Sequence, residues 1–157
     1  MADTLRLENT PRLMTRRGAS PPRAYRLLVV DDDPDMLKIL GYILTAGGYE
    51  VAVGYGGEDA LRKLRKQSFD LILTDLAMPV MSGIELIEIV RSQPETRHIP
   101  ILAVTAHIWE GISRVAAEAG CDGFVSKPVS RENLLRAVDR HVRQSPADRP
   151  LRLAVAC

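Results

Sequence analysis

Asp70-Leu-Ile-Leu-Thr-Asp75 is the stretch that decides the fold. Between its two aspartates the run is apolar or β-branched on both faces, with no polar alternation. Such a run suits a central strand of a parallel sheet that helices cover on both sides. Upstream, Arg26-Leu-Leu-Val-Val-Asp31 has the same character, and downstream Pro100-Ile-Leu-Ala-Val-Thr105 repeats it. Glu50-Val-Ala-Val-Gly54 and Gly123-Phe-Val-Ser126 read as two further strands. Between these runs apolar residues recur at helical spacing. They are Met36, Leu37, Leu40, Ile43 and Leu44, then Ala60, Leu61 and Leu64, then Ile84, Leu86, Ile87 and Val90. A fourth helix is expected from about Glu110 to Ala119, and a fifth carries Leu134, Leu135, Val138 and Val142. Gly47, Gly48 and Gly120 supply helix stops, and Ser130 an N-cap. Five strand–helix units in succession imply an α/β fold with a parallel sheet and right-handed crossovers.

The totals narrow the class. The chain has 157 residues, the size of one domain, and 46% hydrophobic content, enough for a core. Lys and Arg number 21 and Asp and Glu 20, so a net charge of +1 gives no electrostatic reason to expect nucleic-acid binding. No apolar run is long enough for a membrane-spanning helix. Two cysteines, Cys121 and Cys157, make no disulfide framework and fit a reducing, cytoplasmic setting. Residues 1–25 form a basic arm with Arg6, Arg12, Arg16, Arg17 and Arg23. Pro11, Pro21 and Pro22 argue against a long helix there, and composition favours flexibility. Arg16-Arg17 is not followed by the apolar stretch an export signal needs. Residues 26–143 form the folded domain, and 144–157 a tail with Pro146 and Pro150.

In an open parallel sheet the working crevice lies beyond the carboxyl ends of the strands. The first strand ends in Asp31-Asp32-Asp33, the third in Asp75 and the fourth in Thr105, and the fifth runs into Lys127-Pro128. Asp33 before Pro34 is a helix start, with Asp as N-cap and Pro at the first helical position. That leaves Asp31, Asp32 and Asp75. Two carboxylates about 4 Å apart repel by roughly 4 kcal/mol at an effective dielectric of 20. Lys127 offsets one charge, and a divalent cation would offset the rest. All-oxygen ligands favour Mg2+ over zinc or copper.

These groups suit phosphoryl transfer. A carboxylate can attack phosphorus and form an aspartyl phosphate. The transferring group spreads negative charge over three oxygens, which calls for positive charge and hydrogen-bond donors around them. Mg2+ could take one oxygen, the Lys127 ammonium another, and the Thr105 hydroxyl with a backbone N–H the third.

The motifs Leu28-Val-Val-Asp-Asp-Asp-Pro34, Leu71-Ile-Leu-Thr-Asp-Leu-Ala-Met-Pro79 with Gly83, Ile101-Leu-Ala-Val-Thr-Ala106 and Phe124-Val-Ser-Lys-Pro128 together resemble the receiver domain of two-component response regulators, of the single-domain, chemotaxis-regulator-like type. The resemblance implies a flavodoxin-like (βα)5 doubly wound sheet of strand order 2-1-3-4-5. It implies that Asp75 is the phosphoacceptor, and that Asp31, Asp32, Asp75 and the Ala77 backbone carbonyl hold Mg2+. It implies a cis bond between Lys127 and Pro128 that aims the lysine, and a switch pair made by Thr105 and Phe124. Phe124 lacks the hydroxyl of the tyrosine that the family often has there. Ser82 replaces a common aspartate. Ala77 and His107 stand where side chains tune dephosphorylation.

The function implied is a phosphorylation-controlled binding module, not an enzyme beyond self-catalysed phosphoryl acceptance and autodephosphorylation. A histidine kinase would donate the group. The face of the fourth helix, fifth strand and fifth helix would then change its affinity for a downstream protein or for a second copy. The alternative is a phosphorelay intermediate that passes the group to a histidine phosphotransfer protein. Past Arg143 the sequence is too short for a DNA-binding output domain. A phosphatase of similar fold would need a second aspartate two residues after Asp75, where Ala77 stands. His98, His107 and His141 lack metal-like spacing, and Cys121 reads as an inert buried thiol. Trp109 fits either the core or an exposed partner surface.

Overall fold

A computed structural model describes residues 23–106 and 108–143. His107, most of the basic arm, the tail and Cys157 lie outside the described residues, and so do the expectations attached to them. Five strands, β1 (Arg26–Val30), β2 (Glu50–Gly54), β3 (Leu71–Thr74), β4 (Ile101–Thr105) and β5 (Gly123–Ser126), alternate with five helices. These are α1 (Pro34–Ala46), α2 (Gly57–Lys66), α3 (Gly83–Ser92), α4 (Glu110–Ala119) and α5 (Arg131–Val142). All strand pairs are parallel, in the order β2-β1-β3-β4-β5. The flavodoxin-like fold expected of the sequence is the fold observed.

Strand side chains alternate across the sheet, so each apolar run serves two cores. Leu27, Val29, Leu71, Leu73, Leu102 and Val104 meet Leu37, Leu40 and Leu44 of α1 and Leu134, Val138 and Val142 of α5. Leu28, Val30, Ile72, Ile101 and Ala103 face the other way, onto Ala60 of α2, Leu86, Ile87 and Val90 of α3, and Ala116 of α4. Truncating a fully buried leucine such as Leu40 to alanine costs about 2–5 kcal/mol.

Helix ends follow local chemistry. Asp33 caps α1 by accepting from the Asp35 N–H at 2.9 Å, with Pro34 in the first turn. Ser130 caps α5 by accepting from the Asn133 N–H at 3.1 Å. Ser82, set where the family resemblance led one to expect aspartate, forms a reciprocal capping box with Glu85 at the start of α3. β3 is one residue shorter at each end than the sequence run suggests. Asp70 turns its carboxylate to the Arg26 N–H at 2.7 Å, and Asp75 leaves the strand to enter the crevice.

Below the sheet, Arg91 ties several loops together. Its guanidinium donates to the carbonyls of Gly120, Arg97 and Ile99 and to the Asp122 carboxylate, at 3.0, 2.9, 2.6 and 2.8 Å. The same Asp122 oxygen accepts from the Ile101 N–H at 2.9 Å. Trp109 stands at the N-cap of α4 and is 57% exposed, so it is not a core residue.

Candidate functional site

The site grows from the carboxyl ends of two adjacent strands. β1 and β3 pair side by side, with Val30 opposite Thr74, so the residues that follow emerge together. The Asp31 N–H donates to the Gly54 carbonyl at 3.2 Å and the Asp75 N–H to the Val30 carbonyl at 3.0 Å. These bonds hold both backbones while the side chains turn into the crevice. Asp31 is 2% exposed and Asp75 9% exposed, so neither carboxylate has much water to stabilise its charge.

Protein donors take the place of that water. The Lys127 ammonium donates to Asp31 Oδ2 at 3.0 Å and to Asp75 Oδ2 at 3.2 Å. Asp31 Oδ1 accepts from the Asp33 N–H at 2.9 Å, and Asp75 Oδ1 from the Ala77 N–H at 3.3 Å. The backbone N–H of Lys127 donates to the Thr105 carbonyl at 3.0 Å, which anchors the lysine at the end of β5, and its bond to Pro128 is cis. Burial alone would lower the Lys127 pKa. The hydrogen bond to Asp31 and the charges of Asp75 and Asp31 outweigh it and hold the ammonium above its ordinary value.

Asp32 is exposed, yet one oxygen each from Asp31, Asp32 and Asp75 lies within 4.8 Å of the others. Among the described residues three carboxylates face one ammonium here, an excess of two negative charges. The donors are all oxygen, the set that hard divalent cations take. The residues present therefore fit Mg2+.

Thr105 is 1% exposed at the end of β4, and Phe124 on β5 pairs with Ala103, two residues earlier. By alternation Thr105 and Ala103 share a face, and Phe124 packs against the core on that face. The two expected switch residues thus share one side of the sheet. Ala77 lies in the β3–α3 loop, its N–H on Asp75.

In the sequence Gly83 stands out only as part of a motif. A Cβ there would lie 2.0 Å from the Asp75 carbonyl oxygen and 2.7 Å from the Leu76 Cα. Only glycine lets α3 start this close to the acidic strand end, and the Gly83 N–H closes the loop onto the Leu76 carbonyl at 2.9 Å. Met81, which no sequence pattern marks, packs against the α2 start, where a Cβ on Gly57 would collide with its sulfur.

Comparison with known proteins gives the same picture. Residues 27–139 match the model of the response regulator receiver domain. The transcriptional regulatory protein GlrR of Escherichia coli is 39% identical over 120 residues, 76% of this chain. That match spans only 26% of GlrR's own length. The solved chemotaxis protein CheY4 of Vibrio cholerae superposes with a TM-score of 0.74 at 33% identity, over 76% of this chain and 99% of that one. The receiver domain of the sensor histidine kinase PA1611 from Pseudomonas aeruginosa superposes with a TM-score of 0.72 at 30% identity, over 77% and 99%. That structure is described with a magnesium ion coordinated in its active site cleft. By its sheet order, by its acidic crevice and by a family match over most of its length, this chain belongs to the response regulator receiver domains.

Proposed function

We propose that Asp75 accepts a phosphoryl group from the phosphohistidine of a histidine kinase, in a Mg2+-dependent step, and that the chain then changes the surface it shows to protein partners. The observation that carries this reading is the convergence of Asp75 and Asp31 on the Lys127 ammonium, with Asp32 within 4.8 Å. A carboxylate oxygen of Asp75 forms the new bond to phosphorus, and the P–N bond to the donor imidazole breaks with its electron pair going to nitrogen. Asp31, Asp32, Asp75 and the Ala77 carbonyl would hold the cation. When bound, Mg2+ supplies positive charge to the phosphoryl oxygens. Lys127 exchanges part of its contact with the acceptor carboxylate for a phosphoryl oxygen. The Ala77 N–H and the Thr105 hydroxyl complete the donor set, and Phe124 follows Thr105. The chain does no further chemistry than this transfer and the later hydrolysis of its own acyl phosphate. We place it in the cytoplasm, where such kinases keep their ATP-dependent domains. Among the described residues no helix is long and apolar enough to cross a membrane.

Ile108, Trp109 and Val115, at and near α4, are exposed. This supports an output through the α4–β5–α5 face, to a downstream protein or a second copy, over a relay role in which that face would be idle. Trp109 is the only tryptophan and the N-cap of α4, so its emission reports on the start of that helix. Addition of acetyl phosphate with Mg2+ is expected to change Trp109 fluorescence in the wild type and not in Asp75→Asn. A chain that is phosphorylated with no change in Trp109 emission or in α4–β5–α5 chemical shifts would refute the switch.

A further inference from the structure

Thr74 is the last residue of β3 and is 0% exposed, yet it carries a hydroxyl. By alternation it shares a face of the strand with Ile72, which packs among apolar side chains. Valine has nearly the same shape, suits a strand equally well and would bring no polar atom into that core. A hydroxyl taken from water into such surroundings is destabilising unless it finds a partner. Thr74 finds one just beyond the strand: its Oγ1 donates to the backbone carbonyl of Asp75 at 2.9 Å.

That carbonyl lies where the ladder ends. The register between β1 and β3 closes with Val30 opposite Thr74. The Asp75 N–H still reaches the Val30 carbonyl at 3.0 Å, which fixes the peptide plane before the Asp75 Cα. The plane after it lies past the last paired residue, and there the Thr74 hydroxyl serves as the donor that a neighbouring strand would otherwise supply. Gly83 lets the start of α3 press on the same carbonyl, since a Cβ there would lie 2.0 Å from its oxygen. With both planes held, φ and ψ of Asp75 are held, and with them the direction in which its Cβ leaves the backbone. That direction decides whether Oδ2 meets the Lys127 ammonium, at 3.2 Å, and Oδ1 the Ala77 N–H, at 3.3 Å. Both contacts are already at the long end for hydrogen bonds, so a small turn of the backbone breaks them.

We infer that Thr74 is a positioning residue for phosphoryl acceptance: by holding the Asp75 carbonyl, its hydroxyl aims the acceptor carboxylate at phosphorus. It touches neither the phosphoryl group nor the cation. This rests on the reading of Asp75 as acceptor. A nucleophile turned off its line loses rate once the donor is bound, while the binding of the donor depends on other groups.

The test compares wild type, Thr74→Val and Thr74→Ser, labelled by acetyl phosphate in saturating Mg2+ well below every melting temperature. Intact mass is followed over a range of acetyl phosphate concentrations, which separates the limiting rate from the half-saturating concentration. Thr74→Val is expected to label about tenfold slower at the limit, what one lost hydrogen bond is worth, with half-saturation unchanged. Thr74→Ser keeps the hydroxyl and is expected to label at the wild-type rate. Serine leaves a methyl-sized gap in the core and valine leaves none, so a slow valine variant beside a fast serine variant cannot come from lost packing. Equal limiting rates for wild type and Thr74→Val overturn the inference, as does an equal fall in both variants or a change confined to half-saturation. A wild type that stays unlabelled strikes the acceptor reading instead.

Discussion

Replacing Lys127 with methionine removes the one ammonium between two carboxylates that have little water. Its Nζ lies 3.0 Å from Asp31 and 3.2 Å from Asp75. At an effective dielectric of 20 each contact amounts to about 5 kcal/mol of attraction before desolvation. Without it the two acids, at the 4.8 Å limit of their oxygen cluster, repel by about 3.5 kcal/mol. The Lys127 side chain is 17% exposed, so solvent screens these contacts in part, and desolvation of the lysine in the wild type offsets part of the attraction. Removing one partner of such a pair leaves a net loss of about 3 kcal/mol, at the low end for buried pairs. For a domain of this size that lowers Tm by about 12 °C. The assay is urea unfolding at neutral pH, in EDTA and in MgCl2, with the slope checked for constancy. Mg2+ is expected to stabilise Lys127→Met more than wild type, because the pocket is one charge more negative. A loss under about 1 kcal/mol in EDTA, or equal Mg2+ stabilisation of both chains, would refute the electrostatic account of the crevice.

Other perturbations probe the frame around the site. Gly83→Ala is expected to cost about 2–3 kcal/mol despite better helix propensity, since its Cβ would meet Asp75 and Leu76 backbone; an unchanged melting temperature would count against the close approach. Arg91→Lys is expected to lose about 2 kcal/mol, because an ammonium cannot reproduce the planar fork that bonds Gly120, Arg97, Ile99 and Asp122. A chemical melt with no shift in midpoint would contradict that role. The raised Lys127 pKa contributes stability that is complete below the unfolded-chain value and lost as pH rises through the folded one. Wild-type stability should therefore fall above pH 10.5, the ordinary value. Lys127→Met should lack that part of the decline, and parallel curves for the two chains would exclude it.

The sheet was legible because its three central strands, β1, β3 and β4, are buried on both faces, so their residues form unbroken apolar runs with acids or a hydroxyl at the ends. The site was legible for the same reason: strand ends converge on one edge, and Asp31, Asp75 and Lys127 had to meet there. What stayed hidden depends on contacts distant in sequence. Arg91 and Asp122 are 31 residues apart and join two loops that no local pattern links. The positive φ of Val80, 70°, runs against its own residue type, so no local pattern announces it. Gly83 carried a visible motif but not its cause, which is the carbonyl of Asp75. Trp109 could not be placed from sequence, since an aromatic at a helix start serves a core or a surface equally well.

Intact-mass spectrometry after incubation with acetyl phosphate, with Mg2+ or with EDTA, reports whether Asp75 takes the phosphoryl group and whether the cation is needed. The wild type is expected to gain the mass of one phosphoryl group in Mg2+ and little in EDTA, and Asp75→Asn to gain none. Equal labelling of Asp75→Asn, or a wild type that stays unlabelled in Mg2+, would contradict that role of Asp75.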